Sequence, residues 1–304
     1  MNSRYIKGCG LALMSAVLWG VSGVCGQFLF AQRGVNTEWL VTTRMLAAAI
    51  LMLGFVAVRA PGELFVLWKD RTDALRMLVF GVFGMLAVQY TYFAAINASN
   101  AATATILQYT GPALIVGWFA FKERRLPRLA EWLGVAMAVA GTVFLVTHGR
   151  FGSLSISQMA LVWGLGSAVA LAFYSIQPLS LMHRYAPPVV IGWGMLIGGV
   201  LLSLVRPPWA IAGTWDAATI GAYAFVIVFG TLVPFYAYLT AVKIIGPQTG
   251  SLLACAEPLS AAIISVLWLG TRFGPFDWLG TALILGTVVM LTLGKPAETS
   301  PKIE

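Results

Sequence analysis

Glu257 stands in "ACAEPLSAA" (254–262), a carboxylate midway along an apolar run from about Gly246 to Leu269. A run of that length can cross a bilayer, for which roughly 20 residues suffice. A carboxyl group at that depth has two chemical uses. It can hold the ammonium group of a cargo, or it can accept a proton on one side and release it on the other. Its helical neighbours at one-turn spacing are Gly250, Ala254, Ala261 and Ser265, a small-residue stripe that lets a second helix approach closely. The structural alternative is a glutamate hydrogen-bonded within a bundle, steadying a kink that Pro258 permits.

Arg44, in "VTTRMLAAA" (41–49), is a second charge in an apolar run, five residues past Trp39. It can snorkel to the nearer surface, its stem lying along apolar neighbours. Otherwise it contacts an anion, or pairs with Glu38 or Glu257, because a guanidinium grips a carboxylate as a fork. Pockets are mostly apolar with a few placed polar groups. Trp19, Gln89, Tyr92, Gln108, Tyr174 and Tyr238 are the candidates for that role. Gln27, Tyr90, Tyr109, Trp163, Gln177 and Tyr236 also bring polar atoms into apolar runs, where a tyrosine equally serves as an interface anchor.

Other chemistries leave no trace. There is no G-x-x-x-x-G-K phosphate cradle and thus no ATP drive in this chain. Neither a Ser-His-Asp nor an H-E-x-x-H arrangement occurs. "GLGSAV" (164–169) lacks the third glycine of a dinucleotide fingerprint and lies inside an apolar span, where glycines serve helix packing. Cys9, Cys25 and Cys255 sit unpaired in apolar runs, and His148 and His183 stand alone in loops. No metal and no cofactor is expected.

These residues need elements to hold them, and composition says which. Of 304 residues 59% are hydrophobic and only 10% charged, with a mean hydropathy of +0.86. A soluble domain carries about 25% charged residues, so most of this surface faces lipid. Hydropathy predicts ten spans: 8–30, 38–58, 74–95, 101–121, 128–147, 158–180, 187–205, 217–239, 246–269 and 275–294. Between them lie turn and charge signals such as "KERRLPR", "HRYAPP" and "KIIGPQ". Residues 295–304 read as a cytoplasmic tail. With the N-terminus inside, only Arg33, Arg150, Arg206 and Arg272 fall on outside loops and Arg44 within a span. All other lysines and arginines lie inside. This bias places both termini in the cytoplasm, and it accounts for the net charge of +8 without nucleic acid.

The chain also repeats itself. At an offset of 146, residues 80–143 overlay 226–289: Phe83 meets Phe229, Gly84 meets Gly230, and Tyr90 and Tyr92 meet Tyr236 and Tyr238. Pro112 meets Pro258, which marks both as helix-kink positions, and "EWLG" (131–134) meets "DWLG" (277–280). Glu257 itself meets Gly111, so the halves differ where a cargo would sit. Two five-helix halves follow, 1–150 and 151–294. Five being odd, the second enters the membrane from the opposite side. The predicted fold is all-α and integral to the membrane, ten transmembrane helices in two inverted repeats, with the binding site between them near the midplane.

Ten spans, duplicated five-helix halves and a proline in the fourth span of each half resemble the EamA family of the drug/metabolite transporter superfamily. The strings "AVLWGVSGVC" (16–25), "VQYT" (88–91), "SNAATATILQ" (99–108), "LVTHG" (145–149), "CAEPLS" (255–260) and "DWLGTALIL" (277–285) resemble its YicL-like branch of bacterial inner-membrane proteins. The resemblance implies an inner-membrane transporter and more often an exporter. Its cargo would be an amino-acid-like or amine-bearing metabolite, an opine-type metallophore included, moved by alternating access. Import of a small metabolite or vitamin is the alternative within the family. A membrane enzyme acting on lipid is the rival class, and it would call for an Asp-rich or His-containing cluster at one membrane face. The partners this reading implies are a small-molecule substrate and membrane lipid, with a homodimer or an outer-membrane export partner left open.

Overall fold

A computed structural model describes residues 3–98, 101–153, 157–260, 263 and 274–293. All regular structure among them is helical. Six stretches are long and apolar enough to cross a membrane: Ser3–Phe30, Thr37–Arg59, Arg71–Ala95, Ala104–Lys122, Gln158–Arg184 and Ala217–Ala254. Leu129–Phe144 and Pro187–Ser203 are shorter apolar helices.

Helices α1 (Ser3–Ala31) and α2 (Thr37–Arg59) run unbroken, the second capped by the Asn36 side chain on the Trp39 N–H. The next stretch is three pieces: α3 (Arg71–Val79), a π-helical segment Phe80–Leu86, and α4 (Ala87–Ala98). Then come α5 (Ala101–Gln108), a turn at Tyr109 and Thr110, and α6 (Gly111–Lys122). After α7 (Leu129–Thr147), α8 (Gln158–Ile176) continues through Pro178 into α9 (Leu179–Arg184). Helix α10 (Pro187–Ser203) precedes α11 (Ala217–Ile227), a second π-helical segment Val228–Leu232, and α12 (Val233–Ala254). The chain is helical again over 257–260, and α13 (Pro275–Leu293) is the last described helix.

Two predicted spans, 74–95 and 217–239, are therefore not plain α-helices, since each carries a π-turn. A π-turn accommodates one extra residue and frees backbone groups from the regular ladder. Thr231 answers this locally, its hydroxyl donating to the Val226 carbonyl at 2.8 Å. The 38-residue stretch Ala217–Ala254 would be about 57 Å long if straight, against a hydrocarbon core of roughly 30 Å. It folds back at Gly246, whose φ of 79° suits glycine and is followed by Pro247, which has no N–H to continue the ladder. The reversal is visible in packing. A Cβ on Gly250 would lie 3.8 Å from the Val242 Cα, where a straight helix would separate the two residues by about 12 Å.

Helix α1 packs along α12, α2 along α10, α4 along α8 and α7 along α13. The α2–α10 contact is close: a Cβ on Gly199 would meet the Leu46 side chain at 2.9 Å.

Two polar clusters tie the ends of the bundle. At one end the Thr214 N–H donates to the Arg33 carbonyl at 2.8 Å, and the Arg33 guanidinium lies 3.2 Å from Asp216, the cap of α11. Trp39 stacks on Tyr223, meets Trp215 edge-on, and donates its indole N–H to the Pro208 carbonyl. At the opposite end Asp73, 1% exposed, accepts from Arg184 at 2.8 and 2.9 Å and from the Tyr185 hydroxyl at 2.8 Å. Burial first, then the Asp73 carboxylate, push the Tyr185 phenol up to about 12, so it remains a donor there. Gln177 adds a bond to the Arg76 carbonyl.

Several sequence expectations lie outside the described residues: the far half of the span 246–269 with Ala261 and Ser265, the side chain of Gln27, Arg272, and the tail 295–304.

Candidate functional site

Two helix breaks build the centre. The chain leaves the helix at Tyr109–Thr110 and again at Cys255–Ala256, then re-enters it at Gly111 and at Glu257. These positions coincide at the 146-residue offset. In each case a proline, Pro112 or Pro258, takes the second place of the new helix, where its missing N–H costs nothing. The carbonyls just before such a break lose their helical partners. Tyr109 meets that need across the bundle. Its hydroxyl lies 3.2 Å from the Ala254 carbonyl and 2.7 Å from Glu257 Oε2, a partner 148 residues away. One hydroxyl proton faces both acceptors, and the shorter approach is to the carboxylate. On the same face the Ser260 hydroxyl reaches the Ala16 and Val17 carbonyls at 3.4 Å, so α1 closes this side. Tyr109 is buried, whereas Glu257 keeps part of its surface accessible.

Arg44 is the second pole. It lies about 10 Å below the start of α2 at Thr37 and is 9% exposed. Snorkelling and pairing with Glu38 or Glu257 are both corrected here. The side chain turns inward, donates from Nη2 to Gln89 Oε1 at 2.5 Å, and lies over the Phe93 ring at 5.1 Å. Trp39 is packed into the end cluster rather than set at a lipid interface. Being held there, it anchors α2 with Arg44 directed at α4. Gln89 in turn donates to the Met85 carbonyl at 3.3 Å, on the last turn of the first π-segment. Tyr92 links the poles: its ring meets Phe93, on which Arg44 lies, and its hydroxyl is 2.9 Å from that of Thr105, whose carbonyl accepts from the Tyr109 N–H.

The structure thus gathers Glu257, Tyr92, Arg44 and Gln89. It does not gather the rest. Gln108 donates to Ser167 Oγ at 2.7 Å, joining α5 to α8. Tyr174 and Tyr238 are fully buried and stack at 5.6 Å; Trp19 meets Tyr238 at 5.3 Å and Phe235 edge-on at 5.2 Å. These three form an aromatic core in place of the expected cavity wall, because ring faces packed on one another exclude more water than rings lining an opening. Tyr109, one tyrosine among several in the apolar runs, proves to be the direct partner of Glu257. The signal that marked it was its place one residue before the Thr110–Gly111–Pro112 break. A separate apolar groove of about 620 Å³ lies between α6 and α7, lined by Ala113, Val116 and Trp132 with Arg124 and Arg125 at its mouth. Glu257 is not among its lining residues, although Val116 and Val135 of the lining pack in one apolar cluster with Tyr109, Cys255 and Leu259.

A permanent cation and a carboxylate bracketing a tyrosine, inside helices without a hydrolytic or nucleotide-binding motif, can bind and release a polar solute within an apolar bundle. Comparison with known proteins agrees. The family model described as "EamA-like transporter family" matches residues 6–147 and again 158–293. The inner membrane transporter YicL of Salmonella typhimurium is 42% identical over 94% of this chain and 95% of its own length. The threonine/homoserine exporter RhtA of Escherichia coli is 26% identical, covering 84% and 80%. A chain in a solved crystal structure superimposes with a TM-score of 0.77 at 21% identity, covering 94% of this chain and 96% of that one, a likeness of fold.

Proposed function

The chain belongs to the EamA-like transporter family, a transporter and not an enzyme, and from that premise we propose that it exports a small amino-acid-like or amine-bearing metabolite across the bacterial inner membrane. The observation that carries this reading is Glu257, held by Tyr109 between two broken helices and still partly accessible. Such a group exchanges an ammonium-bearing cargo for a proton at one position. The export direction draws support from RhtA, named a threonine/homoserine exporter. An opine-type metallophore carries the same groups.

Alternating access of two inverted five-helix halves is the proposed mechanism. Four features favour it. The family model matches twice, the helix breaks recur at one offset, and both third spans carry π-turns. The fourth concerns direction. The start of α2 and the start of α11 share one end of the bundle, and the start of α3 and the start of α10 share the other. Yet α2 corresponds to α10 and α3 to α11, so equivalent elements begin at opposite ends. The end bearing Asp73 and Arg184 also carries the basic residues of the α6–α7 connection, through Glu131 and Gln248, and is read as cytoplasmic.

With no nucleotide site, uphill export draws on an ion gradient. One charge moved through 100 mV supplies about 2.3 kcal/mol, a gradient of several tens-fold. The test uses inverted vesicles energised by respiration and offered threonine, homoserine and a panel of amino acids and amines. Uptake that an uncoupler abolishes is expected. Uptake indifferent to the uncoupler would replace proton coupling with exchange, and uptake only in right-side-out vesicles would make the chain an importer.

A further inference from the structure

Among the described residues, Arg44 is a buried charge without a counter-ion. Arginine stays protonated in proteins and presents five donors in a planar fork. Four other arginines, Arg33, Arg76, Arg125 and Arg184, each lie within 4 Å of an aspartate or glutamate. Arg44, 9% exposed, has no carboxylate at that distance among the described residues. Its partners among the described residues are a neutral amide and a ring, and its Nε is buried with no acceptor among them. Gln89 cannot neutralise it. The amide is itself fixed, accepting from Arg44 on one atom and donating to Met85 on the other. Burying an ion is costly unless it is paired.

We infer that Arg44, positioned by Gln89 and Phe93, is the anion subsite of the transport centre and takes the carboxylate of the cargo. This rests on the reading of Glu257 as the ammonium or proton site. It adds that the cargo is a zwitterion, spanning from Glu257 past Tyr92 to Arg44. The unpaired Nε edge is what a carboxylate needs for a two-point grip, and contacts run from Arg44 over Phe93, beside Tyr92, through Thr105 to Tyr109 and Glu257. A primary amine without an acidic group would leave Arg44 unpaired and be a poor cargo.

The test does not require the cargo to be known. The purified full chain in lipid nanodiscs is unfolded thermally with acetate or with acetamide, its neutral isostere. Acetate is expected to raise the midpoint and acetamide not. Arg44→Gln keeps a donor for Gln89 while removing the charge, and it should weaken the apparent acetate affinity by about tenfold or more. Arg44→Lys should fall between, and it serves if the glutamine variant cannot be purified; an acetate affinity in Arg44→Lys equal to the parent's then counts against the fork. Equal responses to acetate and acetamide, or an undiminished acetate response in Arg44→Gln, would overturn the proposal. A parallel export assay compares threonine with 1-aminopropan-2-ol, which lacks only the carboxylate. Equal export of the two overturns the anion subsite and leaves the transporter intact. An Arg44-dependent acetate response in a protein that fails to export leaves the subsite standing and removes the export reading.

Discussion

The Arg184 guanidinium lies 2.8 Å from the Asp73 carboxylate, joining the end of α9, just before α10, to the start of α3. Arg33 and Asp216 make the corresponding join at the other end, 3.2 Å apart, from the connection before α2 to the start of α11. Each pair crosses between the halves, so on the alternating-access mechanism proposed above each would act as a latch on its end. A cysteine at Thr105, in a background without Cys9, Cys25 and Cys255, reports which end is open to a membrane-impermeant thiol reagent. Asp73→Asn should raise its reactivity from the cytoplasmic side and lower stability by about 1–3 kcal/mol, because a buried acceptor of several bonds is weakened. Asp216→Asn should raise reactivity from the periplasmic side with little change in stability. Identical effects from both variants would remove the latch reading.

Acid should not open the Arg33–Asp216 latch, on the end proposed as periplasmic. The Thr219 N–H and hydroxyl, followed by Arg33, hold the Asp216 carboxyl below the usual aspartate range. A carboxyl whose folded value is lowered contributes fully above its unfolded pKa, near 3.9, and loses that contribution only as pH falls through the lower folded value. Emission from the Trp39–Trp215–Tyr223 cluster should therefore be the same at pH 7 and pH 5. A transition between those values would show that another group controls this end.

Glu257→Gln should abolish most transport while expression stays near parental, and Glu257→Asp should keep part of it. Tyr109→Phe leaves the Glu257 carboxylate without its cross-bundle donor, at a cost of about 1–3 kcal/mol. It should also slow transport, less than Glu257→Gln does. Parental transport by the glutamine variant would make Glu257 structural.

Tyr174 separates packing from cargo contact. Its hydroxyl is buried with no partner among the described residues, while its ring stacks on Tyr238. Tyr174→Phe should be neutral or slightly stabilising with an unchanged KM, whereas Tyr174→Ala should cost about 3–5 kcal/mol. A raised KM in the phenylalanine variant would return Tyr174 to the binding surface.

Topology is checked with a reporter active only in the periplasm. Fused after Lys295 or after Arg125 it should be silent, and after Arg150 active. Activity from the Lys295 fusion would refute the odd number of crossings in each half.

Much of this architecture was legible because lipid imposes one rule on every span. Apolar length set the helices, and Gly246–Pro247 set a reversal that a hydropathy average alone would blur. The repeat rests on Gly84, Pro112 and "WLG" recurring at one spacing, and the family model's match over 6–147 and again over 158–293 accords with it. Partners were not readable. Tyr109 and Glu257 are brought together by the packing of α5, α6 and α12, which no local pattern encodes. Arg44 misled for a physical reason: near a helix end, a long cation reads alike whether it reaches for water or turns inward. Trp19, Tyr174 and Tyr238 misled similarly, since an aromatic ring in an apolar run has the same spacing whether it faces a solute or another ring.

The two π-turns carry a history. Segments Phe80–Leu86 and Val228–Leu232 coincide when one half is laid on the other. On the duplicated architecture proposed above, that inserted residue was present in a single ancestral five-helix unit before the gene doubled. Such a unit had to enter the membrane in both orientations and dimerise with its own copy. Every side chain at its centre then came in twos, and an acid or a base near the axis faced its duplicate. The fused chain is free of that symmetry. It sets Glu257 against Gly111, and Arg44 on α2 against an α10 without any charged residue. On that architecture, unlike residues at equivalent places give the two ends of the proposed site different chemistry, which two identical copies related by symmetry do not supply.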